Sequence, residues 1–103
     1  MILREFSRFT DDENFIGTAF IMDITNRQHI DTATKMIEEK VEDKGLDIMI
    51  NNAGIGDLGP IEWMEEEDLR KISEVNVWGH VNTIKAMLPL VKKARGRIIN
   101  VSR

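Results

Sequence analysis

The apolar residues of this chain fall into short continuous runs that alternate with longer stretches of helical spacing. Three runs of strand length cover residues 18–24, 46–50 and 97–102. The second run is almost continuously apolar, which suits a parallel strand covered on both faces. The order of strand, helix, strand, helix, strand predicts two crossover units and therefore an α/β fold with parallel strands.

The first helix is predicted from Thr25 to about Asp43. Thr25 and Gln28 match a capping box, in which the Thr25 hydroxyl accepts from the Gln28 amide and the Gln28 side chain reaches back. Lys44 in the last turn and Gly45 just beyond it indicate where the helix ends. Between these limits one apolar stripe recurs at helical spacing, formed by Ile30, Ala33, Ile37 and Val41.

A second, longer helix is predicted over residues 64–95. Pro89 should kink or end it, because proline lacks the N–H that continues the hydrogen-bond ladder. Gly96 is expected to stop it. Acidic residues at its start and basic residues at its end suit the helix dipole; they are Glu65, Glu66, Glu67, Asp68, Lys92, Lys93 and Arg95.

The composition narrows the possible functions. The chain has 103 residues, 42% of them hydrophobic, and a net charge of −4, so it carries no basic field for nucleic acid or an anionic membrane. No apolar run approaches the roughly 20 residues that span a bilayer. Cysteine is absent, and His29 and His80 share no metal-ligand spacing, so no metal site is predicted. Tyrosine is absent as well.

A glycine run follows the second predicted strand. Residues 54–59 spell G-x-G-x-x-G, the pattern of a dinucleotide fingerprint. That fingerprint needs a helix that opens at the glycines, so that free backbone N–H groups meet the pyrophosphate. Here Pro60 and Trp63 follow the glycines instead of a helix. The fingerprint also needs an acidic residue at the end of a second strand about 20 residues further on. Glu74 lies near that position, but within a predicted helix. The run is therefore interpreted as a loop rather than as a phosphate site.

Four motifs resemble, in family order, those of the short-chain dehydrogenase/reductase family. They are Asp23-Ile24-Thr25 at the end of the third strand, the strand of residues 46–50 with Asn51-Asn52-Ala53-Gly54, Asn76-Val77-Trp78-Gly79 in the long helix, and the fifth strand of residues 96–102. The resemblance extends over nearly everything from Thr18 onward. Residues 88–97 and the region of Trp63 are most similar to the retinol dehydrogenase and hydroxysteroid dehydrogenase branch.

The resemblance implies a site for NAD or NADP. Asp23, with Ile24, would accept a hydrogen bond from the adenine amino group, although a solvated turn carboxylate is the plainer alternative. Asn51 and Asn52 would tie neighbouring strands together behind the cofactor. Ala53 and Gly54 would let the backbone approach the ribose. An Asn pair at a turn also suits the turn alone.

Asn76 is the implied catalytic residue, because the family's Asn helps to hold a water that relays protons. The alternative is an amide that only satisfies the core. The catalytic Ser of the family commonly occupies the second place of an N-x-S-S run, and here that place is Arg103, so the role is not assigned to Ser102. His29, His80, Trp63 and Trp78 are interpreted as ordinary helix and packing residues.

The family reaction also needs a Tyr, with a Lys four residues on, and a glycine-rich phosphate loop. We therefore expect residues 1–103 to be the central fragment of a single NAD(P)-binding Rossmann domain, holding strands 3, 4 and 5 of the sheet order 3-2-1-4-5-6-7. The fragment is expected to be inactive and to bind dinucleotide weakly or not at all.

The resemblance implies a small hydrophobic substrate for the complete enzyme, a retinoid- or steroid-like alcohol or ketone. It also implies a location at the endoplasmic reticulum membrane or in the cytoplasm. The alternative function is a non-catalytic interaction module. In that case the helix of residues 64–95 would bind intact relatives or a second copy of the chain.

Overall fold

The computed structural model describes residues 17–56 and 59–102. Asp57 and Leu58 of the glycine run, Arg103, and residues 1–16 of the predicted domain lie outside this part of the chain. Within these ranges five regular elements follow in chain order: helix α1 (Arg27–Val41), strand β1 (Ile48–Asn51), helix α2 (Glu66–Ser73), helix α3 (His80–Ala94) and strand β2 (Arg97–Asn100).

Three irregular helical turns complete the path. Short 3₁₀ turns occupy Glu42–Lys44, which extends α1, and Ile61–Trp63, which precedes α2. A π-helical turn at Glu74–Gly79 joins α2 to α3, so the predicted long helix is continuous in direction but not in hydrogen-bond pattern. Gly45, with φ of 76°, follows the first 3₁₀ turn and ends the helical segment where the sequence predicted.

The two strands form a parallel sheet, which confirms the predicted α/β class. Ile48 lies opposite Arg97, and Asn51 lies opposite Asn100. Helix α3 packs on one face of the sheet, and α1 packs on α3. The core lies between these layers and contains Ala33, Met49, Met87 and Val91. The opposite face of the sheet carries Ile48, Ile50 and Ile99, whose side chains are 55%, 60% and 46% exposed.

The predicted strand of residues 18–24 is wrong as a strand. The segment is extended, and its side chains alternate, with Phe20 and Met22 packed against the core and Ile21 exposed. No ladder pairs with it among the described residues. A cleft of about 330 Å³ separates it from β1 and has Ile24 and Ile48 among its lining residues. The apolar pattern therefore gave the extended conformation but no hydrogen-bonding neighbour.

The helix limits differ from the prediction at two points. Asn26, not Thr25, caps α1, because its side chain accepts from the backbone N–H of Gln28 and His29. Thr25 instead bonds to Asp23. Pro89 does not end α3, which continues to Ala94. Pro89 and Lys85 are both exposed, so water can bind the carbonyl that loses its donor, while the buried side of the helix stays packed.

The end of α3 depends on Arg95 as well as on Gly96. Arg95 adopts the left-handed conformation, and the Gly96 N–H donates to the Val91 carbonyl over 2.8 Å. Gly96 is needed for a different reason. A Cβ there would lie 2.4 Å from the carbonyl oxygens of both Leu46 and Asp47. The glycine thus lets the end of the helix approach the backbone that leads into β1.

Two kinds of feature are absent from the described residues. No helix among them is long and apolar enough to cross a membrane. Across residues 17–56 and 59–102, no group of three or more His, Cys, Asp or Glu residues could hold a metal ion.

We expect Gly96→Ala to lower the free energy of unfolding by about 1–3 kcal/mol, because a methyl group would overlap backbone atoms that cannot rotate away. Gly56→Ala is the matched control, since a Cβ at Gly56 meets nothing within 4 Å, and its effect should stay within about 0.5 kcal/mol. Urea unfolding followed by circular dichroism measures both. Equal stabilities for the two variants would contradict the close approach at Gly96.

Candidate functional site

The polar residues singled out in the sequence gather at the carboxyl ends of the two strands. Residues 52–55, here called the strand-end turn, leave β1 there, and residues 100–102 leave β2. The π-helical turn lies beside the strand-end turn and contacts it through Asn76. The carboxyl edge of a parallel sheet is where open α/β folds bind ligands, so this edge is the candidate site.

Asn51 joins the two strands at this edge. Its side chain is 6% exposed, and its Nδ2 donates to Oδ1 of Asn100 over 2.8 Å. The Asn51 carbonyl accepts from the Val101 N–H over 2.9 Å. The two strands therefore stay joined at and just beyond their last pair, Asn51 and Asn100, through one side-chain bond and one backbone bond. These bonds hold the point at which the strand-end turn begins. Asn52 follows and lines the clefts on either side of the turn's first residues.

Asn76 holds the middle of the strand-end turn. Its Oδ1 accepts from the Ile55 N–H over 2.9 Å, and its Nδ2 donates to the Ile55 carbonyl over 2.7 Å. One side-chain amide thus satisfies both backbone groups of one residue. Asn76 is half-buried and lies within the π-helical turn. Each amide atom retains capacity for one further hydrogen bond, so the residue can hold the turn and still bind a water.

His80 holds the same turn from one helical turn further on. Its Nε2 lies 2.6 Å from the carbonyl oxygen of Ala53. A carbonyl can only accept, so Nε2 carries the proton and donates. No role for His80 was predicted from the sequence, because a single histidine in a helix has no motif of its own. The structure corrects that interpretation: His80 and Asn76 are both anchors of the strand-end turn.

Asp23 lies across the site from the helix and is held in a tight local turn. Its Oδ1 accepts from the Thr25 N–H over 2.9 Å and from the Thr25 hydroxyl over 2.7 Å. The two bonds from Thr25 lower the pKa of the Asp23 carboxyl; slight desolvation opposes them and the charge of His29 adds to them. Oδ2 accepts no hydrogen bond from the described residues. Asp23 therefore presents an ionised oxygen with a fixed orientation.

His29 is a second histidine with a role that the sequence did not indicate. Its Nδ1 lies 3.0 Å from the backbone nitrogen of Asp23 and accepts its hydrogen. Because residues 18–24 pair with no strand of the described chain, this N–H has no ladder carbonyl there to bind. The first turn of α1 supplies the acceptor instead. The only sequence signal was a His six residues after a strand-end Asp.

Ile24 fixes the same segment by packing. A Cβ at Gly79 would lie 2.6 Å from Cδ1 of Ile24, so the glycine of the Asn76-Val77-Trp78-Gly79 motif makes room for this side chain. Ile24 and Asp23 are thereby kept beside the helix that carries Asn76. The sequence-predicted residues at 23, 24, 51–54 and 76 are all brought to one side of the sheet edge.

Two of the clefts beside the strand-end turn contain residues that the sequence predicted to be functional. The larger, of about 620 Å³, has Asp23, His29, Ala53, Gly54 and Val75 among its lining residues. A volume of that size is typical of small-molecule sites. Its lining is mainly apolar, with an anionic oxygen on one side and small residues at the turn. The residues present therefore fit a flat aromatic group that carries an amino donor, such as the adenosine part of NAD or NADP.

The smaller cleft, of about 300 Å³, lies between the strand-end turn, the helix and β2. It is lined in part by Gly54, Asn76, His80 and Ser102. Ser102 is exposed at the end of the described chain. His80 is the one histidine among the lining residues, and its Nε2 donates to the Ala53 carbonyl. This cleft contains the implied catalytic Asn76 but no general acid or base among the described residues.

Comparisons with known proteins agree with this geometry. The family described as short chain dehydrogenase matches residues 8–103. Mouse retinol dehydrogenase 16 is 46% identical over 83 residues, which is 80% of this chain and 26% of that protein. The structure of the carbonyl reductase Sniffer of D. melanogaster superposes with a TM-score of 0.82 at 28% identity, covering 96% of this chain and 45% of that one.

A ligand-bound structure gives a similar superposition. The NADPH-bound carbonyl reductase from chicken fatty liver matches with a TM-score of 0.74 at 27% identity, over 79% of this chain and 35% of its own. This chain thus spans about a quarter of the length of the mouse relative that it matches.

We expect Thr25→Val to raise the pKa of Asp23, because it removes the hydroxyl bond that contributes most to its lowering. Since the folded-state pKa is depressed, the carboxylate stabilises the fold above the ordinary Asp pKa of about 3.9, and this contribution is lost as pH falls through the folded value. The Asp23 carboxylate should therefore contribute less to folding stability in Thr25→Val than in the native protein, and this smaller contribution should be lost at a higher pH. Carboxyl ¹³C NMR titration measures the change, and Thr25→Ser, which keeps the hydroxyl, should resemble the native protein.

Asn76→Leu should release the Ile55 peptide, because it removes both partners of that residue's backbone. Each lost bond is worth about 0.5–1.5 kcal/mol net. Amide hydrogen exchange at Ile55 should accelerate in Asn76→Leu. It should be slower in Asn76→Asp than in Asn76→Leu, because the aspartate keeps an acceptor for the Ile55 N–H. Unchanged exchange in Asn76→Leu would exclude the amide clamp.

Proposed function

Because this chain belongs to the short-chain dehydrogenase family, we propose that it forms the cofactor-facing part of an NAD(P)-dependent oxidoreductase. In this proposal residues 1–103 are the central portion of a single NAD(P)-binding Rossmann domain. Asp23 and Ile24 contact the adenine, and residues 51–54 support the adenosine ribose. Asn76 serves the proton relay.

The observation that carries the proposal is the pairing of an anionic oxygen with a mainly apolar cleft. Asp23 lines the cleft of about 620 Å³, and its Oδ2 accepts nothing from the described residues. A carboxylate oriented in this way selects a ligand with an N–H donor, and the exocyclic amino group of adenine is one. Small Ala53 and Gly54 at the turn permit close approach of a ribose. The NADPH in the chicken structure supports the same class of ligand.

The chemistry follows from what the family's cofactor supplies. When bound, NAD(P) exchanges a hydride with an alcohol or carbonyl carbon, and the protein must exchange a proton with the attached oxygen. Asn76 borders the cleft of about 300 Å³ and has amide capacity to bind a water there. The 103 residues contain no tyrosine, so the family's acid–base residue is not among them. We propose that these residues alone do not turn over substrate.

The substrate class proposed for the complete enzyme is a retinoid- or steroid-like alcohol or ketone. Identity of 46% to mouse retinol dehydrogenase 16 supports this class. The residues proposed to contact the substrate are those of the smaller cleft. Val77 and Val101 give this cleft an apolar part. An apolar lining suits a hydrophobic substrate.

A second candidate function is an interaction module. The helical segment carries exposed apolar side chains at Leu69, Val77, Trp78 and Val81, which are 37%, 50%, 52% and 38% exposed. An uncovered apolar helix face is a usual docking surface. In this alternative the residues 64–95 bind a second copy of the chain or an intact family member.

Dinucleotide titration followed by ¹H–¹⁵N NMR distinguishes the two functions. NAD or NADP should shift the amides of Asp23, Ile24 and residues 52–54, with an affinity weaker than micromolar. Asp23→Ala should reduce those shifts, whereas Asp31→Ala, on the exposed face of α1, should not. Inorganic pyrophosphate alone should leave Gly54, Gly56 and Gly59 unshifted, because no helix of the described chain begins at these glycines.

The outcomes separate clearly. Shifts confined to residues 66–94 on addition of a full-length relative, and none with dinucleotide, would favour the interaction module. A micromolar dissociation constant for NAD or NADP would refute the expectation of weak binding. Pyrophosphate shifts at the glycines would restore the phosphate-site interpretation of residues 54–59.

A further inference from the structure

We propose that His29 is a positioning residue for adenine recognition: its neutral imidazole anchors the backbone of Asp23, and protonation of that imidazole releases the anchor. The inference rests on the proposed function, because it concerns the larger cleft, of about 620 Å³, in which adenosine is proposed to bind. It concerns a residue that lies outside the family motifs found in the sequence.

The first step is the direction of the hydrogen bond. The Asp23 backbone N–H can only donate, so Nδ1 of His29 must accept over the 3.0 Å between the two nitrogens. An imidazolium carries a proton on both nitrogens and accepts from neither. The bond to Asp23 therefore exists only when His29 is neutral. Histidine is the side chain that ordinarily changes charge between about pH 5 and pH 8.

The second step is the short reach in sequence of the other hydrogen bonds of Asp23, whose neighbour Ile24 is fixed by packing against Gly79. The remaining bonds of Asp23 are local: Thr25 donates to its carboxylate, and the Asn26 N–H donates to its carbonyl over 3.0 Å. No strand of the described chain pairs with residues 18–24. Among the hydrogen bonds of Asp23 to described residues, that of His29 spans the greatest distance in sequence and ties the turn to the body of α1.

The third step is the charge environment. Asp23 and His29 are the titratable residues that line the larger cleft. Asp23 also lines a neighbouring cleft with Glu67, Arg70, Lys71 and Glu74. Arg27 and Asp31 flank His29 on α1 itself. Carboxylates, ammonium groups and guanidinium groups ordinarily keep their charge between about pH 5 and pH 8, whereas an imidazole is the side chain that ordinarily changes charge there.

Protonation has two opposite effects on Asp23. The cationic ring attracts the Asp23 carboxylate, but attraction between exposed charges in water is weak. Loss of the directional bond to the backbone is not replaced by that attraction, because the imidazolium cannot accept. The carboxylate thus remains ionised while its backbone becomes less well fixed, and adenosine binding weakens without any change in the charge of its acceptor.

His80 provides an internal contrast. Its Nε2 donates to the Ala53 carbonyl, and an imidazolium donates equally well. Protonation should therefore leave the anchor of the strand-end turn in place. One fold thus contains one histidine bond that protonation breaks and one that it preserves, and acidification should loosen only the Asp23 side of the cleft.

The first arm of the test uses the ligand-free protein. The Asp23 amide resonance in ¹H–¹⁵N spectra should titrate between pH 8 and pH 5 with the same midpoint as the His29 ring resonances. His29→Phe should show the released position at every pH. His29→Asn, whose Oδ1 replaces Nδ1 as a non-titrating acceptor, should keep the anchored position throughout. In His80→Gln the response of Asp23 should persist, because His29 is then the remaining histidine.

The second arm measures binding of adenosine, which carries no phosphate and does not change charge over this range. At pH 8 the dissociation constant should rise about threefold to tenfold in His29→Phe, as expected for one hydrogen bond, and stay near the native value in His29→Asn. Acidification should bring the native protein to the His29→Phe value and leave His29→Asn unchanged.

The two arms fail separately. An Asp23 amide that ignores the ionisation of His29 would overturn the anchor, whatever adenosine does. An anchored amide with adenosine affinity that is the same in all three proteins and at both pH values would overturn the positioning role. If adenosine shifts no resonance of Asp23 or Ile24 at millimolar concentration, both the adenine site of the proposed function and the positioning role are refuted, although the backbone anchor stands.

Discussion

The parallel ladder between Ile48–Asn51 and Arg97–Asn100 is the contact on which the positions of the other groups depend. It aligns Asn51 with Asn100, so both strands end at one edge and their polar side chains meet there. Helix α3 packs on this ladder, and its end returns to β1 through Gly96, which lies against the Leu46 and Asp47 carbonyls. The register of two four-residue strands thus sets where the helix places Asn76 and His80.

The candidate site is built largely by side chains that bind backbone atoms. Asn76 hydrogen-bonds to both the N–H and the carbonyl of Ile55. His80 donates to the Ala53 carbonyl, and His29 accepts from the Asp23 N–H. Loops need such partners because their peptide groups have no ladder or helix to satisfy them. The consequence for binding is that the turn backbone is held while its small side chains stay available to a ligand.

The sequence was informative where local chemistry decides the structure. The apolar runs gave both strands of the sheet, and Gly45 marked the end of the first helical segment. The π-helical turn was not predictable, because Glu74–Gly79 has the apolar spacing of a normal helix, and the Asn76 clamp becomes visible only once Ile55 lies beside it. The prediction of a strand over residues 18–24 is wrong for a related reason. Alternation of buried and exposed side chains indicates an extended backbone, but a strand also needs a hydrogen-bonded neighbouring strand, which the pattern does not specify.

The histidines show the same limit from the side of function. Neither His29 nor His80 belongs to a motif, and each gains its role from a backbone atom brought close by the fold, six residues away in one case and 27 in the other. The glycine run of residues 54–59 is the converse, because it matches a motif but no helix of the described chain begins at its glycines. A polar residue's role is therefore decided by which end of a strand or helix it meets. That placement makes the two sides of the larger cleft unequal. The strand-end turn is held by the half-buried side chains of Asn76 and His80, whereas Asp23 is held by the exposed side chains of Thr25 and His29. A ligand that binds between them should therefore restrict Asp23 more than the turn.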